Sequence, residues 1–374
     1  MNDYLKHYKI KLTTEGPVFI GSGKEFSKKE YLFLSNGEKI GILDFNRFYE
    51  YIHNMKLSEK FENFFINDAR SDLRRWIKEN NIHYSEVKKC LKYELECGDT
   101  SLENGKKAQI MEFVKDVYGC PYIPGSSVKG MLRTILEAKY IVDNIDSFRV
   151  EKNKINNRLD DNRCSGRNIF RNEERDISVK SFNKLNKNEE RIGDAVNDIL
   201  SRVIIGDSVP LSVNDLILCQ KTEVHPDGRE KNLNLLRECL KPGVKIEIPI
   251  SIDTSKTKNG TFDINIEDIY NAITEFDEMY KNCFLNAFKT NVDITEKSVF
   301  LGGGAGFVSK TMIYPLFGKK EGIEVSQKIF EKTCVPKEHK HYNDNRLGVS
   351  PHILKCTRWN GKLYQMGQCK LEID

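Results

Sequence analysis

Few of the features that mark secreted, membrane-bound or metal-thiolate proteins are present in this sequence. No hydrophobic run in the 374 residues approaches the roughly 20 residues needed to span a bilayer. The N-terminus is too polar for the apolar part of a secretory signal. Ten cysteines are scattered without a Cys-x-x-Cys pair, so they are expected to be free thiols in a reducing cytoplasm, with no membrane partner.

An excess of one charge is also missing from the chain as a whole. Lys and Arg number 59 against 55 Asp and Glu, a formal net charge of +4, which excludes a histone-like polycation. A balanced total is still compatible with a local nucleic-acid groove, because the charges can be clustered. Residues 149–191 show such clustering, with twelve basic against eight acidic residues, 12 − 8 = +4.

The segment 149–191 is poor in apolar residues and rich in Asn. It is therefore predicted to be a mobile, basic insertion that buries little surface on its own. One interpretation is that it becomes ordered on RNA phosphates; the other is a loop without function. It separates an N-terminal core, 1–148, from 192–374, which holds the remainder of the core.

The apolar pattern changes several times between strand-like alternation and helical periodicity, with no fixed short repeat, which predicts an α+β fold. An Asn-Gly turn at Asn36 predicts a hairpin between 31 and 43. Helical periodicity predicts a helical insertion at 46–97 and a later helix over 266–288. Other strands are predicted near 5–20, 201–208, 216–218, 244–252 and 298–301, with a closing hairpin at 358–364.

Residues 122–134 are the stretch around which the chain is organised. They read Tyr-Ile-Pro-Gly-Ser-Ser-Val-Lys-Gly-Met-Leu-Arg-Thr, which predicts a strand end, a tight turn and a helix start capped by Ser126 or Ser127. Lys129 and Arg133 fall one turn apart on one face. Such a helix N-terminus suits a phosphate; the alternative is an ordinary capped helix with a solvated basic face.

Two glycine-containing segments are further candidates for contact with phosphates. The first is predicted to be a flexible loop beside a base, or else a plain turn, and consists of Gly21, Ser22, Gly23 and Lys24. The second is a strand followed by a loop whose bare backbone lets a phosphate chain approach, or else a purely steric turn. Its candidate residues are Gly302, Gly303, Gly304 and Lys310.

Residues 304–311 also lie one residue from the nucleotide-binding pattern G-x-x-x-x-G-K-[ST], because Ser309 stands where the last glycine is required. A nucleotide-binding enzyme is therefore kept as an alternative. Metal binding is not predicted, since the spacing of Cys334, His339, His341 and Cys356 matches no standard zinc pattern. No cofactor and no catalytic residue are predicted either.

The stretch 122–134 resembles, nearly letter for letter, a motif of the RAMP superfamily of CRISPR effector complexes. Weaker similarities to that family lie before this stretch, at 19–23, and after it, at 205–208 and 302–306. They occur in the order expected of the family. The resemblance implies a ferredoxin-like, RRM-like RAMP fold with helical and basic insertions, and two fused ferredoxin-like modules as one arrangement. The 192–374 segment would then contain the C-terminal ferredoxin-like part.

Within the family the chain is most similar to the Csm subgroup of type III-A complexes, and there to the subunit that caps the 3′ end of the crRNA. This similarity implies a non-catalytic, crRNA-binding assembly subunit, needed for crRNA maturation and antiviral defence. Its partners would be crRNA, the other Csm subunits including the RAMP backbone subunit, and target RNA indirectly. The predicted RNA contacts are the candidate residues named above.

One departure from the family bears on catalysis. The backbone subunit of such complexes cleaves RNA with an aspartate shortly after its Gly-x-Gly, whereas here the next aspartate after Gly23 is Asp44. Glu25 is the available acid, so a RAMP-type endoribonuclease is the principal alternative.

Overall fold

Fourteen strands are present in the computed structural model, which describes residues 4–34, 37–67, 72–100, 109–166, 168–255, 264–293, 295–333 and 335–374. The strands are β1 (Leu5–Thr14), β2 (Gly21–Phe26), β3 (Tyr31–Leu34), β4 (Lys39–Leu43), β5 (Leu91–Cys97), β6 (Ile110–Phe113), β7 (Val203–Ile205), β8 (Leu216–Val224), β9 (Glu230–Leu240), β10 (Lys245–Asp253), β11 (Ser298–Phe300), β12 (Leu354–Trp359), β13 (Lys362–Gln365) and β14 (Gln368–Ile373).

Ten α-helices lie within the same described ranges. They are α1 (Phe45–Asn54), α2 (Ser58–Asn67), α3 (Leu73–Glu79), α4 (Tyr84–Lys89), α5 (Gly125–Asp143), α6 (Arg149–Asp160), α7 (Arg171–Phe182), α8 (Ile266–Cys283), α9 (Ile313–Lys332) and α10 (Asp344–Leu347). Among the described helices, none is both long enough and apolar enough to cross a membrane.

The smaller sheet is antiparallel, with the strand order β11-β14-β1-β10-β7. Along β10, and along β1 from Ile10 onwards, every second side chain is buried, as the alternating sequence predicts. Ile10 and Leu12 of β1 and Ile248 of β10 are fully buried. Helices α5 and α8 contribute to the same hydrophobic core, through Val128 and Ile273 among others.

The larger sheet has nine strands, with the main order β2-β6-β9-β8-β5-β4-β3 and with β12 and β13 added beside β8. Strand β2 is therefore an edge strand. The predicted hairpins are confirmed as β3–β4 and β12–β13, although Asn36 lies outside the described residues. Side chains from both sheets share one core.

The chain passes repeatedly between the two sheets. Strand β1 pairs with β10 and β14, whereas β2 to β6 join the larger sheet. Each sheet is thus built from both 1–148 and 192–374, so these segments are not separate structural units. Both strands that pair with β1, namely β10 and β14, come from the second half of the chain.

The helical insertion is shorter than the predicted range 46–97. Its four helices, α1 to α4, bury their own aromatic cluster, in which Phe48, Phe61 and Trp76 make edge-to-face contacts. The insertion ends at Lys89, because residues 91–97 form β5 between β4 and β8.

Residues 149–191 form helices that pack against the rest of the protein. The segment contains α6 and α7, and Ile155, Leu159 and Ile177 are buried against α9. Several of its cations pair with acids of the same segment, including Arg158 with Glu173 at 2.5 Å. Other such pairs are Lys154–Asp176 and Lys180–Glu151. Cations in these pairs are less available to RNA phosphates than the cations of a solvated basic segment.

Candidate nucleic-acid interface

Helix α5 begins at Gly125, and the predicted serine cap is absent. Val128 and Leu132 are buried as the helical periodicity predicts. Neither Ser126 nor Ser127 caps the helix, because the N-cap position is occupied by Pro124. Ser126 is instead exposed in the first turn.

The cap is supplied from 82 residues further along the chain. The Asp207 carboxylate accepts a hydrogen bond from the Gly125 N–H at 2.8 Å, and its negative charge complements the positive end of the helix. Ser208 exchanges two hydrogen bonds with the backbone of Ile123, both 2.9 Å long. The carboxylate therefore already occupies part of the anion site predicted at this terminus.

The contact between these two motifs requires glycine. A Cβ atom on Gly125 would lie 2.3 Å from the Ile205 carbonyl oxygen and 2.5 Å from that of Gly206. By contrast, a Cβ atom on Gly130, one turn further along α5, would meet no atom within 4 Å. Only the first glycine is required by packing.

The two basic residues predicted on α5 are engaged within the protein. Lys129 donates to the Val203 carbonyl at 2.9 Å, and burial lowers its pKa. Arg133 pairs with Asp198 at 2.6 Å and lies over the ring of Phe182, 4.3 Å from its centroid. A solvated basic face is therefore not what the structure contains.

The predicted loop at residues 21–24 is instead the bulged start of edge strand β2. The register against β6 shifts between Gly21 and Glu25, and Gly23 has a φ of +84°, a conformation that favours glycine. Lys24 and Glu25 are exposed, whereas Ser22 donates to Glu112 at 3.0 Å.

The second glycine-rich segment packs directly on this first one. Gly303 donates a backbone hydrogen bond to the Phe19 carbonyl at 2.6 Å. A Cβ atom on Gly302 would lie 2.1 Å from that same oxygen. The Phe19 ring lies between Gly303 and Gly21, since Cβ atoms there would be 3.1 Å and 3.0 Å from it. Two of the three predicted segments thus form one surface.

Arg237 of β9 is the cation at the centre of this surface, and sequence reasoning missed it. Its guanidinium lies 5.2 Å from the Phe19 ring centroid. Its Nη1 would be 2.6 Å from a Cβ atom on Gly304. Burial lowers its pKa, and its buried Nε has no hydrogen-bond partner in the part of the chain that the structure describes. Among the described residues no carboxylate pairs with it. We call the surface formed by Phe19, Gly21, 302–304 and Arg237 the Arg237 site.

Glu238, which follows Arg237 on β9, has several polar partners. Glu238 is fully buried and accepts hydrogen bonds from Tyr93 at 2.7 Å and the Phe113 backbone at 3.0 Å, and it pairs with Lys115 at 2.5 Å. Alternation places Glu238 on one face and Arg237 on the other. A charged pair inside an apolar strand is the sequence signal that could have identified both residues.

Lys310 and Ser309 point back into their own loop. Lys310 donates to the Gly302 carbonyl at 2.7 Å, and the Ser309 hydroxyl donates to the carbonyls of Ala305 and Gly306. In this arrangement Lys310 stabilises the loop conformation. The local pattern also differs from a nucleotide-binding loop, since the loop continues into a 3₁₀ turn at Val308–Lys310.

A cleft of about 850 Å³ lies on the other side of this loop, between α5, α7 and α9. Its walls are mainly apolar and carry three acids, Glu137, Glu173 and Glu174. Burial raises the pKa of Glu137 to about 7, and its Oε1 atom has no hydrogen-bond partner in the described chain. Lys310 lines the same cleft and Arg158 pairs with Glu173, so the mainly apolar walls are what distinguish this cleft from a phosphate site.

The residues considered for a metal in the sequence are only partly brought together. Cys334 lies outside the described residues, and Cys356 is fully buried in β12, where burial raises its pKa. His339 and His341 have their rings 5.9 Å apart.

Comparison with known proteins agrees with this architecture. The family model described as the RAMP superfamily matches residues 11–309. CRISPR system Cms protein Csm5 from Mycobacterium tuberculosis (strain H37Rv) is 30% identical over 395 residues, covering 100% of this chain and 99% of the relative. The Streptococcus thermophilus protein of the same name is 29% identical, covering 86% and 83%.

Two solved structures share the fold. A chain of a Csm–crRNA–target RNA ternary complex of a type III-A CRISPR-Cas system matches with a TM-score of 0.63 at 18% identity, covering 98% of this chain and 100% of that one. The crystal structure of T. onnurineus Csm5 matches with a TM-score of 0.60 at 16% identity, covering 96% and 99%.

The chain belongs to the RAMP superfamily, and the predicted α+β RAMP fold is confirmed. Within that superfamily it falls with the Csm5 proteins, to which it is similar over its full length.

The glycine contact at the start of α5 predicts opposite effects for two substitutions in one helix. Gly125→Ala should lower the free energy of unfolding by about 2 kcal/mol or more, because the new methyl group overlaps two carbonyl oxygens. Gly130→Ala, the matched control, should raise it by about 0.5–1 kcal/mol through helix propensity. Urea denaturation measures both, and equal effects would contradict this account of the contact.

The raised pKa of Glu137 predicts a pH-dependent effect of Glu137→Gln. Because the folded protein binds this proton more tightly than the unfolded chain, the carboxyl group favours folding at low pH and opposes it above pH 7. The substitution should therefore stabilise the protein at pH 8 by roughly 1–3 kcal/mol relative to its effect at pH 5.

Thermal unfolding at both pH values measures this difference. Glu278→Gln, an exposed position on α8, is the control and should show no comparable difference. An identical shift of the melting temperature for Glu137→Gln at pH 5 and pH 8 would refute the assignment.

Proposed function

We propose that this chain is a non-catalytic, crRNA-binding subunit of a type III-A Csm complex, and that it caps the 3′ end of the crRNA. The observation that carries the proposal is the Arg237 site, in which a half-buried guanidinium without a carboxylate partner lies under a loop of bare backbone. A buried charge is costly unless it is paired. A phosphate group would supply the missing charge.

The chemistry of the site favours the RNA backbone over the bases. The glycines at 302–304 have no side chains to keep a phosphate away from Arg237, and the exposed edge of β2 adds Lys24 beside Gly23. Peptide N–H groups and guanidinium groups bind phosphate oxygens without reading sequence. Such contacts suit a subunit that must accept guides of many sequences.

The α5 segment has a supporting role in this proposal. Lys129 and Arg133 fix α5 to β7 and α7 through the contacts described above, whereas the exposed Ser126 hydroxyl, with Ser127 beside it, extends the RNA-binding surface. Lys310 acts by closing the glycine-rich loop. The chain would work in the cytoplasm with the RAMP backbone subunit and other Csm subunits as neighbours, and would meet target RNA only indirectly.

Substitution of Arg237 tests the proposal. Arg237→Gln should weaken binding of single-stranded RNA roughly 10- to 100-fold, since a hydrogen bond to a charged group is worth about 1.5–3 kcal/mol. The slope of log affinity against log salt should also become shallower by roughly one phosphate contact. Fluorescence anisotropy across a salt series measures both quantities.

Arg229→Gln is the matched control, because Arg229 lies on the same β8–β9 hairpin but is exposed and paired with Asp227 at 2.7 Å. It should leave RNA affinity nearly unchanged. Melting temperatures of both variants check that the fold is intact. Equal affinities and equal salt slopes for a folded Arg237→Gln protein and the unchanged chain would eliminate the Arg237 site as the RNA contact.

The endoribonuclease alternative is favoured by one observation, the exposure of Glu25 on the bulged edge of β2. Labelled RNA incubated with the purified protein, with and without magnesium, should remain intact. Specific cleavage that is lost in Glu25→Ala but kept in Glu38→Ala, another exposed acid, would replace the non-catalytic proposal.

A further inference from the structure

A cluster of histidines lies beside the glycine-rich loop and has no role in the proposed function. Four of the seven histidines in the chain belong to it. The ring centroids of His341 and His352 are 5.1 Å apart, with His225 5.8 Å from His352 and His339 5.9 Å from His341. The turn between β8 and β9 supplies His225, and the segment between α9 and β12 supplies the other three.

The two central rings are held by one buried carboxylate. Asp344 is fully buried and accepts hydrogen bonds from Nδ1 of His341 at 3.0 Å and Nδ1 of His352 at 2.5 Å. The Ser350 hydroxyl donates to the same carboxylate at 2.6 Å. Because both Nδ1 atoms carry the proton in these bonds, the lone pair of each ring is on Nε2. Carboxylates orient metal-binding histidines in this way.

The spacing of the rings also fits a common ion. Two imidazoles bound to one zinc ion at about 2.1 Å with a tetrahedral angle have ring centres roughly 5 Å apart. The central pair already has this separation. The outer two rings are half-buried, and among the described residues neither His225 nor His339 has a hydrogen-bond partner for a ring nitrogen, so no hydrogen bond holds either ring in its present orientation.

We propose that this histidine cluster is a zinc site. Nε2 atoms of His341 and His352 provide two ligands, and His339 and His225 complete the coordination by rotating their side chains. Asp344 orients the central pair from the second layer. Imidazole ligands suit zinc and related divalent transition metals.

A zinc ion in this position would connect separate parts of the chain. It would join the β8–β9 turn to the segment before β12. Phe330 lies 4.3 Å from the His341 ring and 5.1 Å from Phe307, which follows the glycine-rich loop. The ion would therefore stabilise the packing behind the Arg237 site without contacting RNA.

Metal content and cobalt substitution test the proposal on the purified full chain. Mass spectrometry of metals should find about one zinc per chain, a stoichiometry expected of a structural site. After chelation, addition of Co²⁺ should produce the visible absorption of tetrahedral cobalt, and zinc should displace it. Protein that contains no zinc and gives no cobalt absorption would overturn the proposal.

Substitutions then test the ligands. His352→Asn keeps a donor near the position of Nδ1 for Asp344 but removes Nε2, and should weaken zinc binding at least tenfold. His339→Gln, at a half-buried ring without a hydrogen bond, should weaken it without changing the melting temperature of metal-free protein, and so remains informative if His352→Asn fails to fold. His53→Gln, on the helical insertion, is the control. Zinc affinity equal to that of the control in both variants would refute the site.

Discussion

Backbone that packs against backbone is the constraint on which this structure depends. At the start of α5, Gly125 lies against the carbonyls of Ile205 and Gly206, and at the other locus Gly302 lies against the Phe19 carbonyl. A Cβ atom at either glycine would overlap a carbonyl oxygen, so a side chain there would force the elements apart. The first contact brings Asp207 to the end of α5, and the second forms the Arg237 site. Both pairings join segments that are distant in sequence.

The two neighbouring charged residues of β9, Arg237 and Glu238, have different environments. Glu238 is paired on one face of β9, whereas Arg237 on the other face faces an aromatic ring and bare peptide groups. Leaving a guanidinium half-buried and without a carboxylate lowers stability, so its retention under a glycine loop is more readily understood as a binding function than as a packing one.

Local patterns predicted what is local in this fold. Periodicity and turn residues predict the buried face of α5, the alternation of β1 and β10 and the two hairpins. The motif at 122–134 is what identified the family. The cap of α5 could not be predicted, because Asp207 is 82 residues away from Gly125. The internal partners of Lys129 and Arg133, which were predicted to contact RNA or to lie on a solvated face, could not be predicted either, because they come from β7, α7 and the turn before β7. Arg237 was missed because its importance depends on a loop that follows it by more than sixty residues.

Composition alone points to a different segment from the one that we propose to contact RNA. The segment with the largest basic excess, 149–191, pairs many of its cations internally and helps to build an acidic, apolar cleft. In the proposed binding mode, RNA instead follows the β2 edge, where Lys24 is exposed. With a net charge of only +4, affinity must come from a few well-placed cations and peptide groups. In the proposed binding mode, Arg237, which has no carboxylate partner among the described residues, contributes more than cations that are already paired, such as Arg158 and Lys180.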